Sequence, residues 1–237
     1  DRLSERPLVK ALDARQCDTA ITEFSMISAE YLALHLRDRT GRLVCASNPR
    51  AVPQLTDAIA PWFFEAVQAD QFRASPLFIA LAVRRPVVAL TRPVRDDAGH
   101  AIGMLVLAVD LLPLNQQILS STLPGALVSV EDRQRTVLLS STDPSAFIGT
   151  RPPATAPDPM GGRSDGQTIA IGPDGVPRLY SFQTLADTGW RVSASLPQSQ
   201  VFAEYDATLR GGVALGVAVV AAALMLAWML SAAIARP

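Results

Sequence analysis

Residues 211–235 run for 25 positions without a charged side chain, and no other stretch limits the chain so strongly. At 1.5 Å per residue a helix of that length reaches roughly 37 Å, enough to cross a hydrocarbon core with some tilt. A buried core helix is the competing reading, but such helices are usually shorter and keep a polar stripe. The length therefore favours a membrane span. Arg210 precedes the run and Arg236 closes it, so one charge on each side leaves the direction of insertion open. About 210 residues lie ahead of it, room for one large domain or two small ones.

Charge narrows the partners. Lys and Arg total 21 against 22 Asp and Glu, a net charge of −1, so no global field attracts nucleic acid. The basic residues are scattered, and Lys10 is the single lysine; no basic groove is expected. The chain opens at Asp1 without a methionine or a signal-peptide pattern and reads as a piece whose upstream part is missing. No G-x-S-x-G, phosphate loop or paired His/carboxylate spacing supports catalysis. Cys17 and Cys45 lack zinc-ligand spacing. They are separate thiols in a reducing compartment, or a disulfide in an oxidising one.

Along the chain, Leu8, Leu12, Ile21, Phe24, Ile27 and Leu32 recur at roughly helical spacing. Pro7 suits the first turn, so the pattern predicts a long amphipathic helix over 1–33, with an interruption near 17–19. A strand over 31–36 leads through Asp38-Arg39-Thr40-Gly41 to a second strand over 42–47, with Asp opening and Gly closing the turn. Pro49 and Pro53 mark a loop, and Pro61 opens a short helix carrying Trp62 and Phe63. Strands are predicted over 77–83, 86–94 and 102–111, then a helix over 113–121. The pattern then restarts. Residues 128–141 resemble 34–47, and 179–196 echo 86–111, at an offset of about 90 to 94 residues, which reads as two related α+β units in tandem. A Pro/Gly-rich loop over 151–166 and a helix over 198–210 complete the chain.

These residues resemble the double Cache, or tandem PAS-like, extracytoplasmic sensor domains of bacterial receptors. The matching stretches are LRDRTGRLVCAS (36–47), WFFEA (62–66), RPVVALTRPV (85–94) and GMLVLAVD (103–110). In the second unit they are LPGALVSVED (123–132), FIG (147–149) and the strand at Trp190. The resemblance implies an α+β architecture: a stalk helix (1–33), a membrane-distal unit (34–121), a membrane-proximal unit (122–197), a helix leading to the membrane (198–210), a transmembrane helix (211–235) and the start of a cytoplasmic linker (236–237). It also implies an earlier membrane helix, residues 1–210 in the periplasm of an inner-membrane receptor, and a kinase, cyclase or chemoreceptor output beyond Pro237.

In this family the distal unit binds the ligand, between its sheet and the segment 48–66. Trp62 and Phe63 wall such a pocket or are core aromatics of their helix. Amino-acid-binding relatives carry Arg two residues before this Trp, Tyr after it and Asp at the end of the later strand. Here those places hold Ala60, Phe63 and Asp110, which weighs against α-amino-acid recognition. Asp110 meets a ligand ammonium or caps the helix after it. Arg73 and Arg92 are the better cations for a carboxylate among Arg73, Arg84, Arg85 and Arg92. Ser75 and Thr91 supply neutral hydrogen bonds. His35 and His100, alone near turns, read as surface residues. A periplasmic setting implies a Cys17–Cys45 disulfide. Gly212 and Gly216 form a G-x-x-x-G face suited to a homodimer. The expected function is a small-molecule sensor for an organic acid or amine, without metal, cofactor or nucleic acid. A membrane-anchored scaffold for a periplasmic protein partner is the alternative.

Overall fold

A computed structural model describes residues 2–24, 28–52, 60–69, 71–120, 122–153 and 155–202. Strands form where apolar residues alternate or run unbroken. β1 (Tyr31–Asp38) and β2 (Leu43–Ala46) make the first hairpin, and β5 (Arg85–Arg95) and β6 (Ala101–Asp110) the second. Two short strands, β3 (Arg73–Ala74) and β4 (Phe78–Ala80), both pair with β5. The sheet order is β2-β1-β6-β5-β3, and every pairing is antiparallel. The strand predicted over 77–83 is cut short because Val83 and Arg84 turn back onto the carbonyl of Ala80, and Arg84 takes φ 53°.

The second sheet holds β7 (Leu127–Glu131), β8 (Val137–Ser140), β9 (Asp165–Ile171), β10 (Pro177–Thr184) and β11 (Arg191–Pro197), ordered β8-β7-β11-β10-β9. Its first four strands repeat the order of the first sheet. The repetition reaches single hydrogen bonds. Asp38 Oδ1 accepts from the N–H groups of Thr40 (2.9 Å) and Arg42 (3.0 Å). Asp132 Oδ1 accepts from those of Gln134 and Thr136, both at 2.8 Å. Ser47 Oγ accepts from Leu34 N (3.0 Å), and Ser141 Oγ from Val128 N (2.7 Å). An Asp side chain that caps its own turn in this way makes the hairpin reversal locally encoded.

Helix α4 (Leu111–Ser120) follows β6 directly. Leu111 is fully buried with Val88, Val109, Val130, Leu138 and Leu139, a core shared by both sheets, while Asn115 Oδ1 accepts from Ser140 N at 2.8 Å. These contacts lie within one compact unit, Asp1–Thr168 with Tyr180–Ser195. Residues 169–179 and 196–202 belong to a second unit, in which Arg178 pairs with Asp174 at 2.6 Å across a turn.

The long helix expected over 1–33 is replaced by two single turns, α1 (Pro7–Lys10) and α2 (Thr19–Thr22). Leu12 takes φ 50° just beyond α1. Asp18 caps α2 by accepting from Ala20 N (2.9 Å), and its other oxygen accepts from Arg6 Nε (2.7 Å), which folds the segment back on itself. The apolar periodicity was a burial signal. Val9 and Ile21 are fully buried, with Leu3 and Leu12 beside them, against Leu34, Leu36, Val44, Val94 and Leu105. Gly103 permits that contact, because a Cβ there would sit 2.7 Å from Arg37 O and 3.0 Å from Leu12 Cδ2. The helix predicted over 198–210 is observed over 198–202. Its remainder, the predicted span 211–235 and its Gly212/Gly216 face lie outside the described residues. Among the described residues no helix is long and apolar enough to cross a membrane.

Cys17 and Cys45 are joined, with Cα atoms 5.6 Å apart and a separation of 28 positions in sequence. Closing a loop of this length restricts the unfolded chain by about 3–4 kcal/mol on the chain-entropy model. Replacing both cysteines by serine is expected to lower stability by that amount in chemical denaturation, and reductant should lower the wild type but not the double variant.

Candidate functional site

The face of the first sheet opposite the N-terminal turns is covered by helix α3 (Ala60–Ala69). Phe63, 1% exposed, packs with Ala66 and Val67 onto Ala89, Met104 and Val106, so it is a core aromatic. Trp62, one residue earlier, is half-buried, and its Nε1 donates to Ala74 O at 3.1 Å. That bond ties the helix to β3. A strap over 73–75 is held to β5 by side chains as well as backbone. Thr91 Oγ1 donates to Arg73 O (3.1 Å), and Ser75 Oγ accepts from Ala89 N (2.8 Å) while donating to Pro76 O (2.7 Å).

Trp62, Arg73 and Ser75 meet at a cavity of about 390 Å³, within the range of small-ligand sites. Pro61 and Glu65 extend the same wall along α3. The opposite wall comes from two turns of the second sheet. Asp132, Arg133 and Gln134 belong to the β7–β8 turn, and Asp187, Thr188 and Trp190 to the β10–β11 turn. Arg133 Nε donates to Thr188 O (3.2 Å) and joins the two turns. Gly189 makes room for it, since a side chain there would run into Arg133 and its φ is +70°.

Two residues of these walls each carry a buried polar atom without a hydrogen-bond partner: Arg73, at Nε, on one side and Asp132, at Oδ2, on the other. An unsatisfied buried polar atom is costly enough to require a reason.

The other sequence candidates lie elsewhere. Thr91, 1% exposed, supports the strap from behind. Asp110 is also 1% exposed, and both oxygens are engaged: Oδ2 accepts from Arg85 Nη1 (3.0 Å), and Oδ1 accepts from Leu112 N (3.0 Å) at the start of α4. Arg92 borders an adjoining open hollow with Arg2, Glu5 and Arg95, which shares Gln71 and Phe72 with the cavity. The sequence reading missed the second wall, because Asp132 looked like a turn former and nothing local placed it near α3. It also misplaced His35. That residue sits on β1 opposite Val106, 2% exposed, because β1 is covered on both faces. Burial, and secondarily the charge of Arg37, push the His35 imidazole down to about 3. Burial also lowers the Arg37 guanidinium, whose Nη1 donates to Gly41 O at 2.7 Å.

Two measurements follow from these environments. His35 is neutral in the fold but takes a proton near 6.5 when unfolded, so its contribution is complete above that pH and declines as pH falls toward 3. Lowering the pH from 7 to 5 is expected to remove about 2 kcal/mol, and His35→Gln should flatten that part of the stability profile. Asp110→Ala removes a helix cap and leaves Arg85, already half-exposed, free to hydrate. A loss of about 1–2 kcal/mol is expected in urea unfolding.

No family model and no curated protein matches this sequence. Solved structures do match it. The ligand-binding domain of the Pseudomonas fluorescens chemoreceptor CtaA, in complex with L-isoleucine, superposes with TM-score 0.62 at 13% identity, over 86% of this chain and 84% of that one. The ligand-binding domain of the Pseudomonas aeruginosa PAO1 amino acid chemoreceptor PctB, in complex with L-Arg, gives 0.59 at 18% identity, over 85% and 87%. The sensor domain of the V. cholerae histidine kinase DctB gives 0.54 at 16%, over 82% and 85%. The chain therefore has the two-sheet fold of the ligand-binding sensor domains of bacterial chemoreceptors and histidine kinases.

Proposed function

We propose that the chain is the extracytoplasmic sensor module of a transmembrane receptor and that its ligand, a small organic molecule, occupies the cavity between α3 and the turns of the second sheet. One observation carries the reading: Trp62, Arg73 and Ser75 converge on a cavity of about 390 Å³ in a fold shared with ligand-binding domains. Structures of that fold hold isoleucine and arginine. The cavity here combines aromatic faces, a guanidinium and hydroxyl groups, the mixture that orients a small polar ligand.

Signalling in this reading is a difference in affinity between two arrangements of the cavity walls. A ligand touching α3 and β3 on one side and the β7–β8 turn on the other favours one spacing of those walls. The second sheet then carries the displacement to β11 and the helix that begins at residue 198. The residues beyond it would pass the displacement through the membrane to an output module, with residues 1–210 outside the cytoplasm and two chains forming the receptor.

The test is a thermal-shift screen of the full chain in nonionic detergent against organic acids, amines, amino acids and purines. Saturable stabilisation by one class is expected, approaching 2.7 kcal/mol at a hundredfold excess over Kd. Trp62→Ala and Arg73→Ala should each reduce it strongly while the protein remains folded. If no class stabilises a folded protein, the small-ligand reading fails and a protein-binding scaffold takes its place.

A further inference from the structure

We infer that the cavity takes a ligand with a cationic nitrogen and that Asp132, from the second sheet, is its anchor. This inference rests on the sensor reading above and adds the ligand's charge and the residue that selects it.

Asp132 is 6% exposed. Its Oδ1 is saturated by the N–H groups of Gln134 and Thr136, the bonds that shape the turn. Its Oδ2 is buried without a partner, in a side chain that lines the cavity. A carboxylate oxygen withdrawn from water and left unpaired is stabilised most by a charged donor. The equivalent residue of the first sheet shows what the turn itself requires. Asp38 makes the same two backbone bonds, but its second oxygen accepts from Arg42 Nε at 3.1 Å. Residue 136, at the matching place in the second sheet, is Thr, so that position supplies no cation to Asp132. A ligand cation would fill the same role.

The rest of the lining agrees. Glu65, Asp132 and Asp187 stand against Arg73 and Arg133, a surplus of one carboxylate, and Arg133 Nε is already bound to Thr188 O. Trp62 and Trp190 add aromatic surface, which attracts organic cations. The cation can belong to a simple amine or to an amino acid. The buried, unpartnered Arg73 Nε separates the two, because only the second source brings a carboxylate for it to meet.

The test is isothermal titration of the full chain with three probes of one length: 1,5-diaminopentane, L-lysine and glutarate. Binding of the diamine or of lysine, weakened about tenfold or more by Asp132→Asn, is expected, that being the loss of one charge-assisted bond. Asn retains an Oδ1 acceptor for the turn. Should Asp132→Asn not fold, Glu65→Gln, on an exposed position of α3, reads the same charge and is expected to weaken binding about threefold. Arg73→Ala that weakens lysine and spares the diamine identifies an amino acid as the source; equal effects identify an amine. Binding of glutarate alone overturns the cation assignment and leaves the sensor reading intact. So does a ligand from the wider screen that Asp132→Asn and Glu65→Gln bind as tightly as the wild type. Failure of every probe and of the wider screen overturns both.

Discussion

A strand buried on both faces must be covered twice, and β6 imposes that requirement on this chain. Met104, Val106 and Ala108 project to one side and Leu105, Leu107 and Val109 to the other, almost all of them buried. Leaving either set in water would cost roughly 1.5–3 kcal/mol for each large side chain. Helix α3 covers the first face. The N-terminal turns and the shared core beneath α4 cover the second. Where β6 ends, Asp110 caps α4, so the strand that sets the core also aims the helix joining the two sheets.

The same requirement accounts for the N-terminal segment. A continuous amphipathic helix would bury one stripe, but the sheet offers a short apolar patch reaching from β2 to β5. Two turns of helix joined by a reversal place Val9 and Ile21 in that patch, and the Arg6–Asp18 pair and the Cys17–Cys45 bond hold the reversal closed. Hydrogen bonding from Arg6 keeps the Asp18 carboxyl below its ordinary value, so the ion-pair part of this closure is lost as acid protonates Asp18.

Repetition and its breaking shape the candidate site. Asp38 and Asp132 cap equivalent turns with equivalent bonds, yet the first is completed by Arg42 and the second is not. A device that is purely structural in one sheet becomes an unsatisfied carboxylate beside a cavity in the other. The strap over 73–75 supplies the facing wall, and its position depends on Thr91, Ser75 and Trp62. Of the residues picked out in the sequence, Trp62, Arg73 and Ser75 reach the cavity. Phe63 and Thr91 hold up those that do, and Asp110 and Arg92 serve other places.

The sequence by itself determined the hairpins, the reversal chemistry of Asp38 and Asp132, the helix opened by Pro61 and the tandem repeat. Each of these is a local preference of backbone or side chain, readable within a few residues. Only the tertiary structure decided which face each side chain joined. Periodicity reports that a residue is buried and is silent on what buries it, so the pattern over 1–33 fitted one long helix as well as two short ones. His35 looked exposed because it stands near a turn; it is buried because α3 and its neighbours cover a strand distant in sequence. Asp132 could be recognised as a turn residue and no more, since its place at the cavity arises only where a turn of one sheet faces a helix packed on the other.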